Sequence, residues 1–209
     1  AEQFFPQADQ WIPNYYRRLG EYVGQYGRHF AYLNENGAAI TFKNEAKTDT
    51  ESVAEYEDEE GLGYVLVYDK LSSQTKFAKY TLQKPDGTEE TFDRYGMVTK
   101  IRSSDNAQGE ITITYPDRSS FINTITDGAG RKYQFQYDSD DNITAIQYYG
   151  TGTTVLEQVA YTYTNGCLTG VTYPDGETVA YEYDARGRIT KMTDIDGYSL
   201  SYTYTADSG

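Results

Sequence analysis

Residues 180–204 read AYEYDARGRITKMTDIDGYSLSYTY, from Ala180 to Tyr204. Two aromatics one residue apart, Tyr181 and Tyr183, precede Asp184, the turn glycine Gly187 and the β-prone run Ile189 to Met192. A second turn from Asp194 to Gly197 leads to another Tyr-x-Tyr at Tyr202 and Tyr204. Residues two apart on a strand face the same side, so Tyr181 and Tyr183 share one face while Ala180 and Glu182 share the other. Aspartate and glycine at the junctions supply tight-turn chemistry. One unit is therefore two short strands and two turns.

The same phrase recurs upstream. Phe135-x-Tyr137-Asp138 is followed by Asp141, Ile143, Thr144 and Ile146, and Tyr161-x-Tyr163 by Leu168, Thr169 and Val171. A worn copy runs from Thr91-Phe92-Asp93 through Gly96 to Val98, Thr99 and Ile101, and another has Ile113-x-Tyr115 with Ile122 and Ile125. About six copies, spaced near 21 residues and stretched to about 25 by loops, lie in the range of repeat architectures. Stacking them aligns Phe135, Tyr161, Tyr181 and Tyr202 in one ladder and Tyr137, Tyr163, Tyr183 and Tyr204 in a second, each aromatic expected to cover the next. These eight are structural ladder residues, and stability is expected to belong to the array because no unit buries its own face.

The Tyr-Asp-x-x-Gly-Arg phrase at Tyr183 to Arg188, with Ile189-Thr190 behind it and Asp196-Gly197 opening the next unit, resembles the consensus of the Rhs or YD-repeat family, which includes teneurins and toxin-complex shell components. The resemblance covers roughly Pro85 to Tyr204. Asp141 replaces the turn glycine, Tyr115-Pro116 and Tyr163-Thr164 lack the Tyr-Asp pair, and the Asn165-Gly166 turn is one residue shorter. The resemblance implies repetitive antiparallel β-hairpins forming a curved sheet, part of a spiral β-shell. It further implies a secreted or cell-surface bacterial protein, whose partners are the remainder of the shell and an enclosed C-terminal polypeptide. Members that cleave themselves use acids in a segment at the end of the shell. None follows Tyr204, so the expectation is a non-catalytic chain with no cofactor.

Composition agrees with an all-β reading: 23 Tyr and 19 Gly against 5 Pro favour strands joined by tight turns. A formal charge of -14 opposes nucleic acid and anionic membrane surfaces. No apolar run approaches the roughly 20 residues that span a bilayer, so membrane insertion is not expected, and the start lacks a signal-peptide pattern. The single cysteine, Cys167, excludes an internal disulfide framework and a cysteine-rich zinc site.

The repeat array is assigned to residues 85–209, preceded by an irregular β segment over 1–84 that is expected to continue the same sheet. Within that segment, Arg28 to Leu33 and Ala38 to Lys43 read as a hairpin around Asn34-Glu35-Asn36-Gly37, and Gly63 to Tyr68 and Lys76 to Gln83 as strands. The stretch Asn44 to Gly61, with eight acids and one lysine, reads as a solvated loop. Tyr15, Tyr16 and Leu19 are spaced for one helical turn between Asn14 and Gly20.

Catalytic chemistry has little to build on. His29 is the only histidine and sits beside Phe30 and Tyr32 on a strand pattern, where a structural role is the simpler reading. Pairs such as Asp194 and Asp196 imitate glycosidase carboxylates but fall at turn positions that favour Asp for local hydrogen bonds. Asp138-x-Asp140-x-Asn142 begins like a calcium loop, yet Ile143 stands where glycine is needed and Tyr149 where a bidentate glutamate belongs. Glu57 to Glu60 reads as a solvated acidic face. The rival to a shell wall is a surface module that stacks glycans on tyrosine faces.

Overall fold

The computed structural model of the chain describes residues 17–24, 27–71, 80–105, 109–116 and 121–205. Its regular structure is entirely β, and within each of its two sheets the strands pair with their sequence neighbours. Contacts divide the chain into two compact units, 1–121 with 126–129, and 122–125 with 130–209.

In the first unit, β1 (Arg18–Gly24), β2 (Gly27–Leu33) and β3 (Ala39–Thr41) form a three-stranded sheet. A ladder follows in chain order: β4 (Thr48–Asp49), β5 (Val53–Glu57), β6 (Val65–Asp69), β7 (Tyr80–Gln83), β8 (Glu89–Phe92), β9 (Val98–Arg102) and β10 (Ile111–Thr114). Alternation sends Ala54, Tyr56, Leu66, Tyr68, Tyr80, Leu82 and Phe92 into the core of this unit. The small sheet covers that face. Phe30 meets Tyr56 and Tyr80 edge-on at 4.9 and 5.6 Å between ring centres, and Tyr32 meets Phe92 at 5.9 Å.

This layering corrects the expectation that residues 1–84 simply continue the ladder. β4 to β7 do so, whereas β1 to β3 leave it and pack across it, because an apolar ladder face this broad is stable only under a second layer. The hairpin of β2 and β3 stands as expected, with Asn34 closing its turn. The helical turn gives way to strand over Arg18 to Gly20, and Asn14 to Tyr16 lie outside the described residues, as do Lys76 to Lys79.

The acidic stretch is not a loop. Val53-Ala54-Glu55-Tyr56-Glu57 alternates so that Ala54 and Tyr56 are buried, while Glu57 on the outer side pairs with Lys43 and Lys47 at 3.2 and 2.6 Å. Asp58 is buried as well. Burial raises its pKa, but the amide N–H groups of Leu62, Tyr64 and Gly63, donating at 2.7 to 2.9 Å, outweigh this and hold the carboxyl below its usual range.

The second unit carries β12 (Lys132–Tyr137), β13 (Ile143–Tyr148), β14 (Glu157–Thr164), β15 (Cys167–Thr172), β16 (Thr178–Tyr183), β17 (Ile189–Thr193) and β18 (Ser199–Ser201). β11 (Thr124–Thr126) lies at the division between the units. Opposite Phe135 stands Ile146, opposite Tyr161 stands Val171, and opposite Tyr181 stands Met192. The aromatics therefore do not cover one another directly. They sit on alternate strands, roughly 9.5 Å apart, with aliphatic residues between. The other face is polar, and an amide ladder joins Gln136 to Gln147 at 3.3 Å and Gln147 to Gln158 at 2.8 Å.

Candidate functional site

The repeated turn sets the geometry. In the copy from Tyr183 to Arg188, Gly187 donates its N–H to the Asp184 carbonyl and Asp184 donates to the Arg188 carbonyl, closing a three-residue loop. Gly187 takes a positive φ of 74°, the residue that turns a type I turn into a bulged hairpin. The Asp184 carboxylate accepts the N–H groups of Arg186 and Arg188 at 2.9 and 3.0 Å. Asp93, Asp138 and Asp194 accept from the residues two and four further on in the same way. These backbone bonds, joined by the Arg188 side chain, hold Asp184 below its normal pKa, and Asn142 does the same for Asp138. At Asp141 a non-glycine residue takes the same left-handed conformation, φ 65°, as aspartate tolerates.

The bulge has a consequence for the next strand. Register shifts at Tyr137 opposite Ile143, at Tyr163 opposite Leu168 and at Tyr183 opposite Ile189. On their far sides, the last ladder pairs with the following strand are Ala145 with Ala160, Gly170 with Ala180 and Lys191 with Ser201. Ile143, Leu168 and Ile189 each lie two residues beyond those pairs. Their carbonyls are met instead by a side chain. The hydroxyl of Tyr163 donates to Ile143 at 3.0 Å, Tyr183 to Leu168 at 2.8 Å and Tyr204 to Ile189 at 2.8 Å.

Tyr115 donates to Val98 and Tyr137 to Ile122, both at 2.8 Å. In these five copies the second-position tyrosine is thus a clasp on the copy before it, satisfying a carbonyl left without a ladder partner. Arg188 completes the phrase: its guanidinium forks onto Asp184 at 2.7 and 2.8 Å and lies 4.2 Å from the centre of the Tyr204 ring in the next copy. Tyrosine, aspartate, glycine and arginine each have a mechanical part.

The two ladders are consequently unequal. Phe135, Tyr161, Tyr181 and Tyr202 hold the first position and form no hydroxyl clasp of this kind; Tyr137, Tyr163, Tyr183 and Tyr204 hold the second. The sequence carries the signal for this distinction, because the first position accepts Ile113 and Phe135 while the second is tyrosine in all five of these copies. Replacing Tyr183 by phenylalanine keeps the ring and removes only the donor, so it is expected to cost about 1 kcal/mol. Urea denaturation of the two proteins measures it, and no change would mean the Leu168 carbonyl needs no partner.

Burial pushes the Tyr137 phenol up to about 12 from an ordinary value of 10.0. A group that must stay protonated when folded contributes stability fully below pH 10 and loses it progressively as pH approaches 12. Tyr163 and Tyr183 are shifted upward by burial too. Melting temperature is therefore expected to fall across pH 10 to about 12, together with tyrosinate absorbance, and Tyr137→Phe should blunt the fall.

The other candidates are placed as follows. His29 lies on β2 opposite Tyr22, its ring centre 5.9 Å from the tyrosine ring, and Cys167 opens β15 opposite Thr164. Asp138 spends both carboxylate oxygens within its own turn, on the amides of Asp140 and Asn142 and on the Asn142 side chain. Among the described residues, no group of three or more His, Cys, Asp or Glu side chains is arranged to hold a metal ion.

Hairpins in chain order, closed by capped turns and clasped from copy to copy, define an all-β repeat protein. The RHS Repeat family model matches residues 161–199, within β14 to β18, and this supports assigning the chain to the Rhs or YD-repeat family. No curated protein matches the chain.

Proposed function

We propose that this chain is a non-catalytic wall segment of a secreted or surface YD-repeat shell, and that the shell encloses a C-terminal toxin or effector polypeptide. The observation that carries the reading is the tyrosine clasp. Five copies in succession, from Tyr115 to Tyr204, each spend a hydroxyl on the backbone of the preceding copy, so the array is built for mechanical continuity. Such a wall shields its contents by leaving few backbone groups open to water at the hairpin ends. Assembly with further repeats of the same protein follows from this reading, since repeat arrays are stabilised by their neighbours.

The same observation weighs against a tyrosine ladder that grips sugars. In the second ladder, the hydroxyls that would bind a glycan are already committed to carbonyls at 2.8 to 3.0 Å. Limited proteolysis of the native full-length protein tests enclosure: the repeats and the enclosed polypeptide should resist digestion together. Digestion of the whole chain at similar rates would contradict it.

A further inference from the structure

Tyr133 and Tyr148 stand directly opposite each other on β12 and β13. One step outward, Lys132 donates its N–H to the Gly150 carbonyl and accepts from the Tyr149 N–H, both at 2.9 Å, while the Tyr148 carbonyl turns away to accept the Leu156 N–H at 2.8 Å. Tyr133 and Tyr148 are therefore a non-hydrogen-bonded pair, the register position at which side chains of antiparallel strands come closest. Their ring centres lie 5.0 Å apart with the planes inclined by 31°. Neither phenol hydroxyl takes a hydrogen bond among the described residues, and Tyr133 is 44% exposed, with Tyr148 half-buried beside it. Among the described residues, the two other close tyrosine pairs are shielded. Tyr68 and Tyr80 stack at 5.3 Å and Tyr32 lies 6.4 Å from Tyr64, but Tyr68, Tyr80 and Tyr32 are buried. The clasping tyrosines sit on alternate strands, roughly 9.5 Å apart.

We propose that Tyr133 and Tyr148 are an oxidative modification site, joined ring to ring as dityrosine by a haem peroxidase acting with hydrogen peroxide. The oxidant takes one electron and one proton from each phenol, and the two phenoxyl radicals couple through ring carbons ortho to the oxygens. The hydrogen on each coupled carbon then moves to its oxygen, restoring both phenols, and one hydrogen peroxide is reduced to two waters. Exposure admits the oxidant, and the strand register holds the partner ring in place, so coupling within the chain outruns the meeting of two chains. The new bond closes the β12–β13 hairpin covalently and restricts the unfolded chain as a disulfide does. The site uses no clasping hydroxyl and does not depend on the enclosure reading.

The test treats the 209-residue chain with a haem peroxidase and hydrogen peroxide and then digests it after acidic residues. Asp138, Asp140 and Asp141 lie between the two tyrosines, so digestion separates them unless they are joined. Dityrosine fluorescence is expected, and the single-chain band on denaturing electrophoresis should yield a joined peptide pair carrying Tyr133 and Tyr148, lighter than the two peptides together by two hydrogens. Tyr133→Phe and Tyr148→Phe keep the ring and remove the phenol. Each is expected to lose that peptide pair and most of the fluorescence at an unchanged circular dichroism spectrum. Should a variant fail to fold, the peptide map of the unsubstituted chain still decides. The proposal is overturned by absence of dityrosine, by crosslinks formed only between chains, by a dominant bond between Tyr68 and Tyr80, or by fluorescence that survives both substitutions.

Discussion

Replacing Gly96 by alanine is expected to destabilise the first unit by about 3 to 5 kcal/mol. Gly96 has a φ of +75°, which alone costs an L-residue about 1 to 2 kcal/mol. The larger part comes from its neighbour: an added Cβ would stand 1.8 Å from the Leu19 carbonyl oxygen and 2.9 Å from its carbon. Both are backbone atoms of β1, which cannot swing aside as a side chain does. β1 would have to withdraw, breaking the 2.9 Å bond from the Leu19 N–H to the Gly96 carbonyl and the bridge between Arg18 and Met97, and exposing Leu19.

Gly187 supplies the control. It has the same turn and a φ of +74°, but a Cβ there meets nothing within 4 Å, so Gly187→Ala is expected to cost only about 1 to 2 kcal/mol. Denaturant unfolding followed by hydrogen exchange at the β1 and β2 amides separates the two. Equal losses would mean that the seat of β1 on the turn contributes little.

The second large effect is expected at Glu90. Its side chain is fully buried, and its position matches Tyr161 and Tyr181 in the repeat phrase, so a carboxylate stands where the ladder carries an aromatic. Arg17 pairs with it, the Lys84 ammonium lies 2.8 Å away, and the Tyr32 hydroxyl donates to it at 2.9 Å. Glu35 adds a second carboxylate, 3.1 Å from Lys84. Burial, then the Glu90 charge, drive the Tyr32 phenol far above its ordinary pKa, so this hydroxyl remains a donor.

Removing one partner of a buried ionic cluster leaves the others uncompensated, and Glu90→Leu is expected to cost about 3 to 5 kcal/mol. Replacing Arg17, Lys84 and Glu90 together by apolar residues of similar volume should recover most of the loss. The comparison is made by urea denaturation. A triple variant as unstable as Glu90→Leu would show that the cluster supplies net stability beyond fixing how β2 meets β8.

The repeat phrase was readable because its parts are local. Asp184, Gly187 and Ile189 lie within one hairpin, so a turn, a bulge and a returning strand follow from residue types alone. Layering in the first unit was harder to read because it depends on partners far apart in sequence. Nothing around Phe30 announces that it will meet Tyr56 and Tyr80, and no repeat marks β1 to β3 as a separate sheet.

The acidic stretch misleads for a related reason. Charge density over Asn44 to Gly61 masks the alternation of Ala54 and Tyr56, and the burial of Asp58 depends on the amides of the following turn. Glu90 was within reach, since aligning Glu90-x-Phe92 on Tyr181-x-Tyr183 puts an acid on the inward face. Its three partners were not, as they come from two sheets.

Enclosure is tested most directly on the native protein that carries these repeats, by comparing native with denaturing electrophoresis. A C-terminal polypeptide that has been cleaved from the shell, migrates with it natively and separates on denaturation is the result expected of a container wall. A single intact chain that releases nothing on denaturation would contradict it.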